Sequence, residues 1–531
     1  MVDPATRTAQ LAQRYSVASL DVAQLLCDRH PSQAVAVRII GDALVETTVT
    51  YGELADSSRR FATLLSRRGI GRGDRVATLM GKSADLLTVL VGIWRVGAVY
   101  VPLFTAFAEA AVTDRLQRSQ ARLVIADADQ RHKVGEGEWE VLEADTLKAE
   151  LAAAGPWETG SIAVGGTGPL VHMFTSGTTG SPKGVIHPVQ YVAGWHSYLE
   201  FGLGVGADSV YWCAADPGWA YGLYAAIVAP LAAGVPTVLL CGGFSADTTL
   251  GVLSQLKVTN LAAAPTVYRA LRNSGRVRSR ELTVPYLSSA GEPLTPDVNA
   301  WAPEALGARV HDHYGQTELG MPIGFPHDAS VSVPVVDNAM GVALPGWTVT
   351  VLDPDRDEPA AQETVGRLAI VVADSPHMTF TAYADGDDHG RFVGEGRYYL
   401  TGDTASIDAT GMVRFSSRDD DVIIMAGYRI GPFDVESVLA QHIAVAECAV
   451  IAAPDQARGE VVEAFVVTAA DTAVSAEELQ QWVKDRYAAH AYPRRIHFVP
   501  ALPKTPSGKI QRVELRRQRR AEVLGEAARD E

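Results

Sequence analysis

The stretch Thr175-Ser-Gly-Thr-Thr-Gly-Ser-Pro-Lys-Gly184 constrains this chain more than any other. It follows a short apolar run (Leu170, Val171, Met173, Phe174) and precedes a stretch that reads as a helix. Strand, polar loop and helix form a layout in which backbone N–H groups and hydroxyls can wrap a polyphosphate. Gly177, Gly180 and Gly184 let the backbone approach a ligand or take positive φ. Ser176, Thr178, Thr179 and Ser181 bring hydroxyls, and Lys183 brings a positive charge. The order is not that of a Walker A loop, which closes on Gly-Lys-Ser/Thr. Taken alone, a Ser/Thr/Gly loop is more often a surface turn. Other motifs must decide.

Bulk properties narrow the ligand. The chain has 531 residues, with 62 Asp+Glu against 46 Lys+Arg, a net charge of −16. Such a surface repels nucleic acid and anionic membranes, so any anionic ligand must be held by local groups. Cys27, Cys213, Cys241 and Cys448 lie far apart with no paired spacing. That excludes a zinc site or disulfide framework and suits a reducing cytosol. The N-terminus lacks an apolar signal core, and Arg7, Arg14, Ser16 and Ser19 give only a faint transit-peptide character. The uncharged run from Gly222 to Cys241 is long enough to be weighed as a membrane span. Pro230, Gly234 and Pro236 break it into helix, turn and strand, so the expectation is a cytoplasmic protein with no integral membrane association.

Length favours more than one domain. Tyr51 to Arg68 and Ser83 to Arg95 read as helices, and Arg75 to Met80 and Arg122 to Ala126 as strands. The αβ alternation continues through Asn260 to Ala264 and Tyr286 to Ala290, which predicts a layered α/β body. Short β-rich runs at Thr348 to Leu352 and Arg367 to Val372 predict an added β subdomain or barrel. A boundary falls near Arg418-Asp-Asp-Asp421. Beyond it, helical Glu436 to His442 and Ala476 to Arg486 flank strands at Val445 to Ala452 and Val461 to Thr468. That is enough for a compact domain of about 110 residues.

Four further motifs carry chemistry. Tyr314-Gly-Gln-Thr-Glu318, after His311-Asp-His, places an aromatic, a hydroxyl and a carboxylate within one nucleotide's reach; the carboxylate can hold Mg²⁺ with phosphate oxygens. Tyr398-Tyr-Leu-Thr-Gly-Asp403 puts an acid after a glycine turn, where it can accept both hydrogen bonds of a ribose diol. Arg418-Asp-Asp-Asp-Val422 is followed by Met425-Ala-Gly-Tyr-Arg-Ile430, and reads equally as a solvated face. Pro503-Lys-Thr-Pro-Ser-Gly-Lys-Ile510 presents Lys509 on a rigid loop. Each motif alone is also an ordinary turn or surface segment.

Their order and content together resemble the adenylate-forming superfamily, from about Tyr51 to Arg512. The likeness is greatest to acetyl- and medium-chain-type acyl-CoA synthetases, through Ala215-Asp-Pro-Gly-Trp219, Gly291-Glu-Pro293, Tyr314-Gly-Gln-Thr-Glu318 and Gly427-Tyr-Arg-Ile-Gly-Pro-Phe433. The resemblance implies an α/β fold: a large N-terminal domain of layered α/β subdomains plus a β subdomain, and a small mobile C-terminal α+β domain. On it, residues 1–417 form the large domain, 418–421 the hinge with Asp420 at its centre, and 422–531 the small domain. Thr175, Ser176, Gly177, Thr178, Thr179, Gly180 and Lys183 would grip the ATP phosphates. Gly291, Glu292, Pro293 and Asp312 would line adenine, with His313 and Gln316 nearby and Tyr314 stacked on the base. Thr317 would touch the α-phosphate, Glu318 hold Mg²⁺, and Asp403 with Arg418 take the ribose. Lys509 would bridge the substrate carboxylate and the α-phosphate. After rotation, Gly427, Tyr428 and Arg429 would face the pantetheine of CoA. One departure is Ser417, where the family usually has Gly.

The resemblance also places Trp219, Ala220, Tyr221, Val267 and Met321 at the acyl pocket. Members restricted to acetate close it with Trp after the stacking aromatic; here that position is Gly315. The expected substrate is therefore a carboxylic acid larger than acetate. The leading reading is an ATP- and CoA-dependent ligase working through acyl-AMP. The alternative is an acyl-AMP ligase serving a separate carrier protein, since the chain ends about twenty residues past Lys509 with no carrier domain expected. A luciferase-like oxygenase has no support in the sequence, and a degenerate binding relic would have lost Lys509, Glu318 or Asp403.

Overall fold

The computed structural model describes residues 3–175, 182–277, 282–418, 421–425, 428–455, 459–470, 472–488, 491–505 and 509–527. Among them four sheets form. One has six strands, parallel except at one edge, where Pro169–Phe174 pairs antiparallel with Gly184–Pro188. A second has nine strands, with Tyr211–Cys213, Asn260–Ala263, Tyr286–Ala290 and Val310–Gln316 side by side and parallel. An antiparallel sheet follows, built on Gly366–Val371, Tyr398–Ile407 and Val413–Arg418. The C-terminal unit has its own sheet around the long antiparallel pair Val445–Asp455 and Gly459–Thr468, covered by helices Pro432–Leu439, Ala476–Arg486 and Arg512–Ala527. The layered α/β body, β subdomain and α+β C-terminal unit are those expected.

Local sequence explains the helices that carry the first sheet. Thr50 caps Tyr51–Arg67 in a reciprocal capping box with Glu53, and Ser83 caps Ala84–Arg95. The two pack along an apolar seam, and at the end of the second helix Arg95 is buried. Its charge is balanced by Asp28, whose carboxylate accepts two bonds at 2.6 and 2.7 Å, and its Nε donates to Ser58. The uncharged run after Tyr221 becomes helix, a left-handed turn at Gly234 and the buried strand Thr237–Leu240. No described helix is long and apolar enough to cross a membrane.

One expectation fails. The stretch after the polar loop is a strand, Gly184–Pro188, not a helix; a single 3-10 turn at Val189–Tyr191 follows, and α-helix begins only at Val192–Ser197. Val185 and His187 point inward while Ile186 is exposed, a period of two that matches the strand opposite. The chain between them thus joins two antiparallel strands rather than a strand and a helix.

Candidate active site

The C-terminal ends of the parallel strands Asn260–Ala263, Tyr286–Ala290 and Val310–Gln316 open toward the antiparallel sheet, where ligands of open α/β sheets collect. The polar loop leaves the end of Pro169–Phe174. Its mouth is tied shut by Thr175, whose N–H donates to the Lys183 carbonyl at 2.9 Å. The Lys183 N–H returns a bond to Thr175 Oγ1 at 3.3 Å. Ser176, Gly177, Thr178, Thr179 and Gly180 lie outside the described residues. Lys183 holds its ammonium 4.8 Å over the Tyr383 ring. The Tyr383 hydroxyl donates to Glu318 Oε1 at 2.8 Å, so Lys183, Tyr383 and Glu318 form one cluster.

Alternation along Val310–Gln316 sorts its side chains. The Tyr314 hydroxyl donates to Asp403, and Gln316 Nε2 donates to Asp403 Oδ2 at 3.0 Å and to the Thr401 carbonyl at 2.8 Å. Burial pushes the Asp403 carboxyl up, against the opposing pull of the Tyr314 hydroxyl and Arg418. Arg418 sits in register with Asp403 on the neighbouring strand. Asp312 is buried, with Oδ2 accepting from the Leu294 N–H at 3.4 Å and Oδ1 without a partner. An orphaned buried acceptor suits a ligand donor such as an exocyclic amine. His313 turns to the opposite face, bonded to Tyr198 and the Phe325 carbonyl, so its ring is not in the nucleotide cleft. The Thr317 carbonyl accepts from His187 Nε2 at 2.7 Å and Tyr191 at 2.8 Å, which fixes the turn leading to Glu318.

Gly291 and Pro293 stand exposed at the rim, Gly291 at φ +99°, where only glycine is unstrained. Glu292 accepts from Arg269 at 2.8 Å and Thr266 at 3.1 Å. From the small domain Lys509 reaches the same cleft. Water reaches its surface, yet protein crowds its ammonium; that crowding lowers its pKa, Glu292, Asp403 and Glu318 oppose the shift, and Arg418 adds to it. Lys509 thus lies within electrostatic reach of three carboxylates and of Arg418.

The acyl residues divide. Ala220 and Tyr221 pack against the main core, which includes Met321 and Trp195. Trp219 packs on Phe104 and Phe107, with ring centroids 5.4 and 5.5 Å away. Val267 instead packs against a separate cluster with Trp212 and Tyr268. A Cβ at Gly315 would strike the Gly320 carbonyl and the Met321 sulfur. The space in that direction is therefore filled, and absence of a side chain at 315 does not by itself open the pocket. Gly427 and Asp420 lie outside the described residues. Tyr428 and Arg429 form the strand Tyr428–Ile430, paired with Ile423–Met425.

Tyr383 and Arg391 belong to none of the sequence motifs. The guanidinium of Arg391 faces Tyr383, Tyr399 and Glu318 and donates to the Leu400 carbonyl at 3.3 Å. Tyr383 is 65 residues from Glu318 in sequence, so no spacing pattern could join them. No group of three His, Cys, Asp or Glu suited to a metal occurs among the described residues. One carboxylate, Glu318, fits an ion that takes its other ligands from phosphates and water, as Mg²⁺ does. A hollow of about 320 Å³, lined by Arg38, Glu46 and Tyr211 among others, sits at the opposite, N-terminal ends of the strands and has no part in this cleft.

Comparison with known proteins agrees with the geometry. The family described as AMP-binding enzyme matches residues 25–378, and the AMP-binding enzyme C-terminal domain matches 434–509. An acetyl-coenzyme A synthetase of Bacillus subtilis is 33% identical over 499 residues, covering 89% of this chain and 85% of that protein. A mitochondrial acyl-coenzyme A synthetase of Rattus norvegicus is 32% identical, with 89% and 84% covered. The crystal structure of a Brucella canis acyl-CoA synthetase is 39% identical and superposes with a TM-score of 0.75, covering 98% of this chain and 100% of that one. With both family domains matched in order around one cleft, the chain belongs to the AMP-binding enzymes, the adenylate-forming superfamily, among its acyl-CoA synthetases.

Proposed function

We propose that this enzyme activates a carboxylic acid larger than acetate with ATP and passes the acyl group to CoA. The observation that supports the reading is that Lys509 lies within electrostatic reach of Glu292, Asp403 and Glu318. A substrate carboxylate attacks the α-phosphate of ATP; a P–O bond forms, the bond to the bridging oxygen breaks, and pyrophosphate leaves. Two anions must approach, and the Lys509 and Lys183 ammonium groups offset their repulsion. Mg²⁺, when bound, neutralises phosphate charge beside Glu318. Asp403 and Arg418 orient the ribose, Asp312 and the Gly291 to Pro293 rim receive adenine, and Thr317 stands by the α-phosphate. The CoA thiol then attacks the acyl carbonyl, the C–O bond to AMP breaks, and the thiol proton passes to solvent.

The division at 417, a pivot within 418–421, and a CoA-facing role for Gly427, Tyr428 and Arg429 belong to the same proposal. The preference for acids larger than acetate rests on the missing indole at Gly315; Met321, which fills the space beside it, is an unbranched thioether that yields more easily than an indole. The four cysteines form no disulfide among the described residues, which fits a cytosolic setting. The test is pyrophosphate release across acids from acetate to aryl acids, with and without CoA. Turnover that requires CoA on acids larger than acetate supports the proposal. Acyl-AMP that CoA never discharges would favour a separate carrier protein as acceptor.

A further inference from the structure

Behind the acyl segment, a file of hydrogen bonds has its proton order dictated by its inner end. That end is the Phe325 carbonyl, which can only accept. His313 Nε2 lies 3.0 Å from it and therefore carries the proton, while His311 Nδ1 donates to the same oxygen at 2.8 Å. Burial pushes the His313 pKa down to about 3, so the ring is neutral and Nδ1 is a lone pair. The Tyr198 hydroxyl, 2.7 Å from that nitrogen, must donate to it. A phenol has one proton, so the Tyr221 hydroxyl, 2.9 Å from Tyr198, must donate in turn. Tyr221 ends the file with its proton committed and only lone pairs to offer. Tyr198 and His313 are buried, whereas Tyr221 is partly exposed and sits on Ala220–Leu223, in the cluster that holds Met321.

We propose that Tyr221 selects acids whose acyl portion bears a hydrogen-bond donor, a hydroxyl or N–H, over ethers and alkyl acids of equal size. The inference rests on the acid-activating function proposed above. An ether or ketone oxygen against Tyr221 would set lone pair against lone pair. Reversing the file would move the His313 proton to Nδ1 and leave Nε2 facing the Phe325 carbonyl without a proton. A site that offers only an acceptor discriminates against partners that bring no donor to it.

The experiment measures pyrophosphate release for matched pairs: para- and meta-hydroxybenzoate against the methoxybenzoates, and terminal hydroxyalkanoates against their methyl ethers and parent alkanoates. Wild type, Tyr198→Phe and Tyr221→Phe are compared. In wild type the hydroxyl member is expected to lead by roughly tenfold or more in kcat/KM, the scale of one lost buried hydrogen bond. Tyr198→Phe frees the Tyr221 proton, so ethers gain and the ratio falls below about threefold, with parent acids little changed. Tyr221→Phe brings the ratio near one. A ratio near one in wild type, or one that Tyr198→Phe leaves unaltered, overturns the proposal. Melting temperatures show whether Tyr198→Phe folds; if it does not, wild type and Tyr221→Phe decide. Turnover of parent acids with no distinction within pairs sinks this inference alone. No pyrophosphate from any acid sinks the parent function with it.

Discussion

The bond from Tyr383 to Glu318 gives the sharpest quantitative handle on the phosphate end of the cleft. Burial and the facing carboxylate push the Tyr383 phenol well up, so it stays a donor at any working pH. Its 2.8 Å bond runs to an anion with only 8% of its residue surface exposed. Hydrogen bonds to charged groups contribute about 1.5–3 kcal/mol, and each ~1.4 kcal/mol is tenfold. Tyr383→Phe should therefore lower kcat/KM for ATP by about 10- to 150-fold. Phe keeps a ring face under Lys183. Tyr383→Leu removes that as well, about 0.5–1 kcal/mol more, or a further two- to fivefold. The assay is pyrophosphate release against ATP at a series of Mg²⁺ concentrations, beside direct ATP binding with and without chelator. The loss should appear mainly in the Mg²⁺-dependent part of binding. A Phe variant within threefold of wild type at every Mg²⁺ concentration would refute the argument that Tyr383 sets the Glu318 carboxylate.

Lys509→Ala should cut adenylate formation by at least about a hundredfold, the scale of one lost charge-stabilising contact, while leaving thioester formation from supplied acyl-AMP nearly intact; equal losses in both halves would contradict its placement. Gly315→Ala meets the Gly320 carbonyl, so it should destabilise the protein by about 1–3 kcal/mol, visible as a lower Tm, rather than merely narrow acyl choice; an unchanged Tm would count against the packing described. Asp434, half-buried beside Ser416 and Tyr487, has its pKa raised to about 6, chiefly by loss of solvation, from an unfolded value near 3.8. The folded state then binds more protons than the unfolded one across that window, so stability falls as pH rises from about 4 to about 6, by at most ~3 kcal/mol. Asp434→Asn should flatten that dependence and raise Tm at neutral pH; parallel Tm–pH curves for variant and wild type would refute it.

Much of this site was legible because its parts are local. The helices at Tyr51–Arg67 and Ala84–Arg95 announce themselves by Thr50 and Ser83, and the Tyr314 to Glu318 run carries its chemistry within one turn of chain. What escaped depends on distant pairing. Tyr383 meets Glu318 only because the β subdomain folds over the end of the parallel sheet. The strand Gly184–Pro188 was misread because Val185 to His187 is too short to display its period, which the partner strand Pro169–Phe174 settles. At Gly315 the sequence shows only that the indole is missing; that Met321, six positions on, folds back beside it is visible only in the structure.

The two ends of the interdomain crossing are each fastened. Ser417 is tied to Thr404 of the large domain by a 2.8 Å hydroxyl bond, and Asp421 is held by Arg512 and Arg516 of the C-terminal helix. Between those rivets run only Arg418, Asp419 and Asp420. If the pivot lies within 418–421 as proposed, any swing of the small domain would be taken up by these three residues. Arg418 opens that crossing and stands in register with Asp403, the proposed ribose acceptor. On the roles proposed above, the residue that helps to seat the ribose would also be the first link of the pivot, so losing the nucleotide would change the surroundings of the pivot itself.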